Sequence, residues 1–170
     1  MEVKLNADER IDQLYRDNIQ IIQSPSVFSF SLDAVLLANF AEVKQSSKAQ
    51  IVDLCAGNGA VGLFLSKKTH GHVTMVEIQS RLAEMAERSI LLNDLKERYR
   101  VLNLPLADSL GTIKTDSVDN IVCNPPYFPN HPDSKKNPNQ FLAIARHEIT
   151  TSLNEILETS QKMLKMNGKL

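Results

Sequence analysis

The stretch NPPY at residues 124–127 follows a short apolar run at residues 118–123. Proline cannot continue a central strand, so the two rings lead the chain out of the predicted strand and hold it rigid. The backbone carbonyls of Pro125 and Pro126 and the side-chain oxygen of Asn124 remain as hydrogen-bond acceptors. Such acceptors suit a planar amino group, and Tyr127 offers a flat face on which a base can stack.

This arrangement indicates methyl transfer to the amino nitrogen of a base or an amide. That nitrogen is a poor nucleophile because its lone pair is delocalised. Two acceptors that bind its hydrogens would hold it in place and stabilise the positive charge that develops as the new bond forms. The predicted catalytic residues are Asn124, Pro125, Pro126 and Tyr127. A lone NPPY is equally typical of a rigid turn, and its position after a second motif favours the catalytic interpretation.

The second motif is DLCAGNG at residues 53–59, at the end of another apolar run. Gly57 and Gly59 allow a sharp turn and a close approach of the backbone to a ligand. With Gly62 they also match the dinucleotide pattern G-x-G-x-x-G, so NAD is an alternative ligand. Asp53 favours a different cofactor, because its carboxylate would repel a pyrophosphate. S-adenosylmethionine instead carries a sulfonium and an ammonium group, which a nearby carboxylate attracts.

Two further carboxylates follow the next predicted strands. Glu77 lies at the end of the second strand, where an acid suits the two hydroxyl groups of a ribose in either cofactor. Asp108 follows the third strand and could accept a hydrogen bond from an adenine amino group, with the cap of a turn as the alternative role. Cys55 and Cys123 lack metal-ligand spacing and are predicted to be buried, reduced thiols, and no metal site is expected.

Strands alternate with helices from residue 51 onward, which predicts a mainly parallel, doubly wound α/β sheet. The predicted strands cover residues 51–56, 72–78, 99–108 and 117–124, and the predicted helices cover residues 31–43, 59–68, 80–95 and 151–168. The first helix begins at Ser31, with an apolar stripe that includes Leu36 and Phe40. A short hairpin is predicted around residues 24–26.

Length and composition indicate one domain with an ordinary core. Residues 1–20 form a polar segment that is expected to be mobile, and residues 21–170 form the domain itself. The first residues carry no apolar signal, and no run approaches the roughly 18 apolar residues that span a bilayer. We therefore expect a cytoplasmic protein without a membrane partner. The net charge of −1 argues mildly against binding nucleic acid through bulk charge alone.

The stretches DLCAGNG, VEI and NPPY resemble class I S-adenosylmethionine-dependent methyltransferases that act on amino nitrogens. FSFSLDAVLLANFA and ARHE are similar to the tRNA (adenine-N6)-methyltransferase group that acts on valine tRNA. The resemblance covers about residues 21–170. It implies a seven-stranded Rossmann-like fold whose last strands would lie beyond residue 170.

The resemblance also implies a set of cofactor contacts, in which the segment around Ser31 closes over the bound S-adenosylmethionine. The residues expected to bind the cofactor are Ser31, Asp33, Asp53, Cys55, Gly57, Gly59, Glu77, Ile78, Asp108 and Asn124.

A lysine-bearing loop after NPPY is expected to meet the substrate, with tRNA as the expected partner and a monomer or weak dimer as the favoured state. The predicted substrate contacts are Tyr127, Phe128, Lys135, Lys136 and Arg146. An ordinary solvated loop explains the same residues. Three other functions stay open: methylation of a protein glutamine amide, methylation of an amino group in ribosomal RNA or DNA, and nucleotide binding without methyl transfer.

Overall fold

The structure is a computed structural model that describes residues 3–14, 18–27, 29–126 and 151–170. Its strands are β1 Arg10–Leu14, β2 Ile19–Gln23, β3 Gln50–Leu54, β4 His72–Glu77, β5 Tyr99–Asn103, β6 Val118–Cys123 and β7 Leu164–Lys169. Its helices are α1 Leu32–Phe40, α2 Ala60–Leu65, α3 Ser80–Leu92 and α4 Leu153–Met163, with a 3₁₀ helix at Leu106–Gly111.

The central sheet has the strand order β5-β4-β3-β6-β7, and all of its pairings are parallel. The chain moves outward from β3 through β4 to β5 and then returns to the other side of β3 with β6. The order therefore reverses between β3 and β6, which makes their carboxyl ends the switch point of the sheet. The predicted parallel, doubly wound, Rossmann-like α/β fold is confirmed.

Both faces of the sheet are buried, so its strands are apolar runs without strict alternation. Ile51 and Val122 pack on the face covered by α1, α2, α3 and β2. Val52 and Ile121, their neighbours along the strands, pack on the opposite face, against α4 and the 3₁₀ helix. Four strands lie where the sequence predicts them, because each apolar run is short and ends at a glycine, a proline or a polar residue.

The N-terminal strand pairing differs from the predicted hairpin. Residues 10–14 pair with β2 in an antiparallel ladder, so β2 pairs with residues that precede it and not across residues 24–26. Arg88 of α3 binds the Glu9 carboxylate at 2.7 Å, so this part of the first twenty residues contacts the domain. The other edge of β2 is met by α3: the Ser89 hydroxyl accepts the Ile22 N–H at 3.0 Å. These contacts span 67 or more residues, and no local pattern predicts them.

The buried face of α1 also differs from its prediction. Ala34 and Ala38 are its buried residues, whereas Leu36 and Phe40 are exposed, Phe40 to 86%. Small side chains allow α1 to lie close to α2, which selects the alanine face rather than the bulkier one.

The last helix is shorter than predicted. It ends at Met163, and the residues that follow form β7, which pairs with β6. Gly168, the last residue of the predicted helix, lies within that strand. The backbone hydrogen bonds that β6 offers on this side outweigh the helix propensity of residues 164–168.

Candidate active site

Two loops meet at the switch point of the sheet. The glycine turn at residues 55–59 leaves β3, and residues 124–126 leave β6 beside it. Leu54 pairs with Cys123 in the parallel ladder, so the two loops begin at the same level of adjacent strands. Ligands of open α/β sheets bind in the crevice at this position.

Three glycines shape the turn for different reasons. Gly57 has φ +58°, and a Cβ placed there would meet nothing within 4 Å, so its surface is open for a ligand. Gly59 has φ +85° and begins α2 in the left-handed conformation, which favours glycine. A Cβ on Gly62 would come within 2.5 Å of the Met75 methyl group and 3.2 Å of an Asp53 oxygen. Gly62 therefore permits close packing of α2 on the sheet.

Asp53 lies beneath the glycine turn and is only 1% exposed. Its Oδ2 accepts the Gly62 N–H at 2.9 Å and so satisfies an amide in the first turn of α2. Its Oδ1 has no hydrogen-bond partner among the described residues. A buried carboxylate oxygen without a donor is costly, and a donor or cation from a ligand would relieve that cost.

Glu77 closes the turn from the end of β4. Its Oε2 accepts the Gly57 N–H at 2.8 Å, and its Oε1 accepts the Gln79 N–H at 2.8 Å. A carboxylate oxygen can accept more than one hydrogen bond, so both oxygens retain capacity for hydroxyl donors. Glu77 thereby links the glycine turn to β4 and can still bind a diol.

The electrostatics of the two acids agree with a cationic ligand. Burial raises the pKa of Asp53 to about 7, and the negative charge of Glu77 adds to this shift, while the Gly62 N–H opposes it. Burial also raises the pKa of Glu77, against the hydrogen bonds from the backbone. A positive charge near these groups would lower both pKa values and stabilise the ionised carboxylates.

Sequence reasoning missed two asparagines that position the site. The Asn58 side chain is buried and donates to the Ile22 carbonyl at 3.1 Å, which ties the glycine turn to β2. Asn103 donates to the carbonyls of Glu77 and Ile78 at 2.8 and 3.1 Å and holds the end of β4. Asn58 stands between two glycines of the motif, which indicates a role in the turn. Its partner Ile22 lies 36 residues away and could not be inferred from the sequence.

The other predicted cofactor contacts are more exposed than Asp53 and Glu77. Ser31 precedes α1, and its hydroxyl binds the Asp33 carboxylate at 3.1 Å, with both side chains exposed. Ile78 is also exposed, as is Asp108 within the 3₁₀ helix. Cys55 is half-buried at the start of the turn. The structure thus brings Asp53, Gly57 and Glu77 together and leaves Ser31, Asp33 and Asp108 at exposed positions.

The first part of the NPPY motif lies beside the glycine turn. Asn124 and Pro125 are half-buried and Pro126 is buried, and none of them belongs to a helix or strand. The predicted substrate residues Tyr127, Phe128, Lys135, Lys136 and Arg146 lie outside the described residues. Asn124, Pro125 and Pro126, whose oxygens are the predicted hydrogen-bond acceptors, therefore lie at the switch point of the sheet.

Two absences concern the described residues only. Within those parts of the chain, no group of three or more histidine, cysteine, aspartate and glutamate side chains has the arrangement of a metal site. In the same ranges, every helix is too short or too polar to cross a bilayer.

Comparisons with known proteins agree with this geometry. The family model of the methyltransferase small domain matches residues 18–170. The tRNA1(Val) (adenine(37)-N6)-methyltransferase of Shewanella putrefaciens (strain CN-32 / ATCC BAA-453) is 30% identical over 139 residues, covering 81% of this chain and 56% of that protein. The protein of the same name from Aliivibrio salmonicida (strain LFI1238) is 29% identical over 140 residues, with 82% and 56% covered.

Among solved structures, M. jannaschii TYW2 in complex with AdoMet has a TM-score of 0.64 at 16% identity, over 95% of this chain and 61% of that one. This likeness concerns the fold. The chain spans about half the length of the curated relatives it matches. From the match over residues 18–170, the parallel sheet and the glycine turn at its switch point, we conclude that the chain belongs to the methyltransferase small domain family.

Proposed function

We propose that this chain is the cofactor-binding part of a methyltransferase that transfers a methyl group from S-adenosylmethionine to the N6 amino group of adenine in tRNA. Membership of the methyltransferase small domain family supports the reaction type. The names of the curated relatives, which specify adenine 37 of a valine tRNA, support the substrate.

The observation that carries the cofactor assignment is the unpaired, fully buried Oδ1 of Asp53, close enough to Glu77 for the two charges to interact. Two carboxylates beneath one glycine turn create a negative potential. This potential repels the pyrophosphate of a dinucleotide and attracts the ammonium and sulfonium groups of S-adenosylmethionine. The match of the glycines to the dinucleotide pattern is therefore outweighed by the charge of the residues around them.

The residues at the switch point have separate roles in this proposal. The open surface of Gly57 admits the cofactor to the backbone, and Glu77 accepts hydrogen bonds from the ribose hydroxyls. Bound S-adenosylmethionine would supply the electrophilic methyl group. Asn124 and Pro125 present acceptors that hold the adenine amino group and stabilise the positive charge on its nitrogen during transfer. The proton can leave afterwards, so the site needs no strong base.

The substrate loop completes the proposal. Lys135, Lys136 and Arg146 would contact phosphates, and Tyr127 would stack on the target base after it leaves its own stack. A tRNA substrate also implies that the protein works in the cytoplasm. A monomer or weak dimer remains our prediction for its oligomeric state.

The test uses purified protein, tritiated S-adenosylmethionine and tRNA that lacks the modification, with digestion of the RNA to nucleosides. We expect label in N6-methyladenosine. Parallel reactions contain ribosomal RNA, DNA and a protein substrate that carries an accessible glutamine. Label in glutamine or in guanine instead of adenine would overturn the substrate assignment and keep the reaction type. Binding of NAD in place of S-adenosylhomocysteine, measured by calorimetry, would overturn the whole proposal.

A further inference from the structure

Cys55 and Cys123, the two cysteines of the sequence, are separated by most of the sheet-forming chain but meet at the switch point. Cys123 is paired with Leu54, the residue directly before Cys55. We propose that these cysteines form an oxidation site, in which a peroxide converts the two thiols to an intramolecular disulfide and thereby closes the cofactor site. The functional part of this inference rests on the proposed cofactor.

The side chains lie on the same face of the sheet. Strict alternation would place Cys55 on the face opposite to Leu54 and Cys123. Cys55 instead leaves the strand with φ +55°, and both cysteines pack against the same apolar cluster, which includes Leu54 and Ile121. The neighbouring Cys55 thiol and burial both raise the pKa of Cys123, which is consistent with two thiols that lie close together.

The backbone spacing suits a disulfide. Adjacent strands lie about 4.8 Å apart and residues rise about 3.3 Å along a strand, so positions offset by one are about 6 Å apart between Cα atoms, inside the range of about 4.4–6.8 Å found for disulfides. Both cysteines are half-buried, which leaves a path for a small oxidant. The sequence holds no third cysteine that could compete.

The chemistry balances with one peroxide molecule. The thiolate of Cys55 attacks a peroxide oxygen, the O–O bond breaks, and a sulfenic acid and one water form. The sulfur of Cys123 then attacks the Cys55 sulfur, the S–S bond forms, and the hydroxyl leaves as a second water after taking up the thiol proton.

The disulfide would disturb both loops of the site. An S–S bond of about 2.05 Å is much shorter than a non-bonded contact between two sulfur atoms, so both cysteine side chains must rotate within the apolar cluster against which they pack. On one side this change acts on the glycine turn, whose Gly57 N–H is held by Glu77. On the other side it acts on Asn124, the next residue after Cys123. Displacements of about 1 Å at such a site reduce activity by about 100-fold.

The experiment oxidises the protein with hydrogen peroxide and follows three quantities: titratable thiols, intact mass and the affinity for S-adenosylhomocysteine. We expect both thiols to disappear, the mass to fall by two hydrogen atoms, and the affinity to fall by about tenfold or more. Dithiothreitol should restore all three. The matched control is Cys123→Ser, with Cys123→Ala as a second variant if the buried hydroxyl destabilises the fold. For each variant, oxidised and reduced samples should bind with equal affinity.

Three results would overturn the inference: two thiols that survive oxidation, a disulfide that leaves the affinity unchanged, or a single-cysteine variant that loses affinity as the wild type does. The thiol and mass measurements do not depend on the proposed function. If the reduced protein failed to bind S-adenosylhomocysteine, the proposed function and the effect on the cofactor site would both be rejected. The thiol count and the mass would still show whether the disulfide forms.

Discussion

The carboxylate of Glu77 accepts the N–H of Gly57 at 2.8 Å, so the acid at the end of β4 holds the glycine turn that follows β3. One side chain thus shapes the backbone of the site and faces the position proposed for the ribose. These two roles of Glu77 can be separated from general stability by substitution, because exposed glutamates such as Glu87 provide a comparison.

Glu77→Gln should weaken binding of S-adenosylhomocysteine by about 10- to 100-fold, or about 1.4–2.7 kcal/mol. The substitution removes the negative charge and replaces one acceptor by an amide donor, which opposes the Gly57 or Gln79 N–H. Calorimetric titration measures the effect. Glu87→Gln, an exposed carboxylate on α3, is the matched control and should bind normally. Equal affinities for the two variants would contradict the role of Glu77.

Without cofactor, the protein should become less stable as the pH rises from about 4 to about 7. The native state keeps the Asp53 proton up to about 7, whereas an unfolded aspartate loses it near 4, so the native state binds more protons in this window. Stability therefore falls as the pH rises, and Glu77 contributes in the same direction. Thermal unfolding at a series of pH values provides the measurement.

Asp53→Asn is the control for that pH series. It removes the titrating group and should reduce the slope between pH 4 and 7, while the remaining slope reports Glu77. Acids with lowered pKa values, such as Glu9 and Asp119 at about 2, act at lower pH and oppose the trend only near its acidic end. An identical pH dependence in wild type and variant would refute the assignment.

Alanine substitutions at Gly62 and Gly57 should have different effects on stability and on cofactor affinity. Gly62→Ala should destabilise the fold by about 1–3 kcal/mol, because its methyl group meets the buried Met75 side chain. Gly57→Ala should cost only about 1–2 kcal/mol from its left-handed backbone but should lose most cofactor affinity, since its methyl group enters the open crevice.

Gly111→Ala is the control for both variants, since its added methyl group meets nothing within 4 Å and its φ is not positive. Urea unfolding and cofactor titration of the three proteins are compared. The prediction fails if Gly57→Ala binds S-adenosylhomocysteine as tightly as Gly111→Ala does.

Asn124→Ala should keep cofactor affinity and lower turnover by about 100-fold or more, because it removes an acceptor that stabilises charge in the transition state. Turnover is measured with tRNA at saturating S-adenosylmethionine, and cofactor affinity is measured separately. A loss of affinity without a loss of turnover would assign Asn124 to the cofactor instead of the amino group.

The sequence alone determined the parallel sheet and the residues at its carboxyl edge. β3, β4 and β6 are short apolar runs that end at glycine, an acid or proline, and such local signals need no distant partner. Gly57, Glu77 and Asn124 could therefore be assigned to one site, because the carboxyl ends of parallel strands lie on the same edge.

Tertiary structure decided the rest, wherever a residue's partner lies far away in the chain. The hairpin of β1 and β2 depends on Ser89 and Asn58, and the exposed Phe40 on α1 reflects the close fit of Ala34 and Ala38 to α2. β7 forms a strand because the edge of β6 offers it hydrogen bonds. Cys55 and Cys123 likewise reach the same apolar cluster only in the folded sheet. Burial, strand pairing and steric fit depend on contacts between distant segments, so they cannot be predicted from a local sequence pattern.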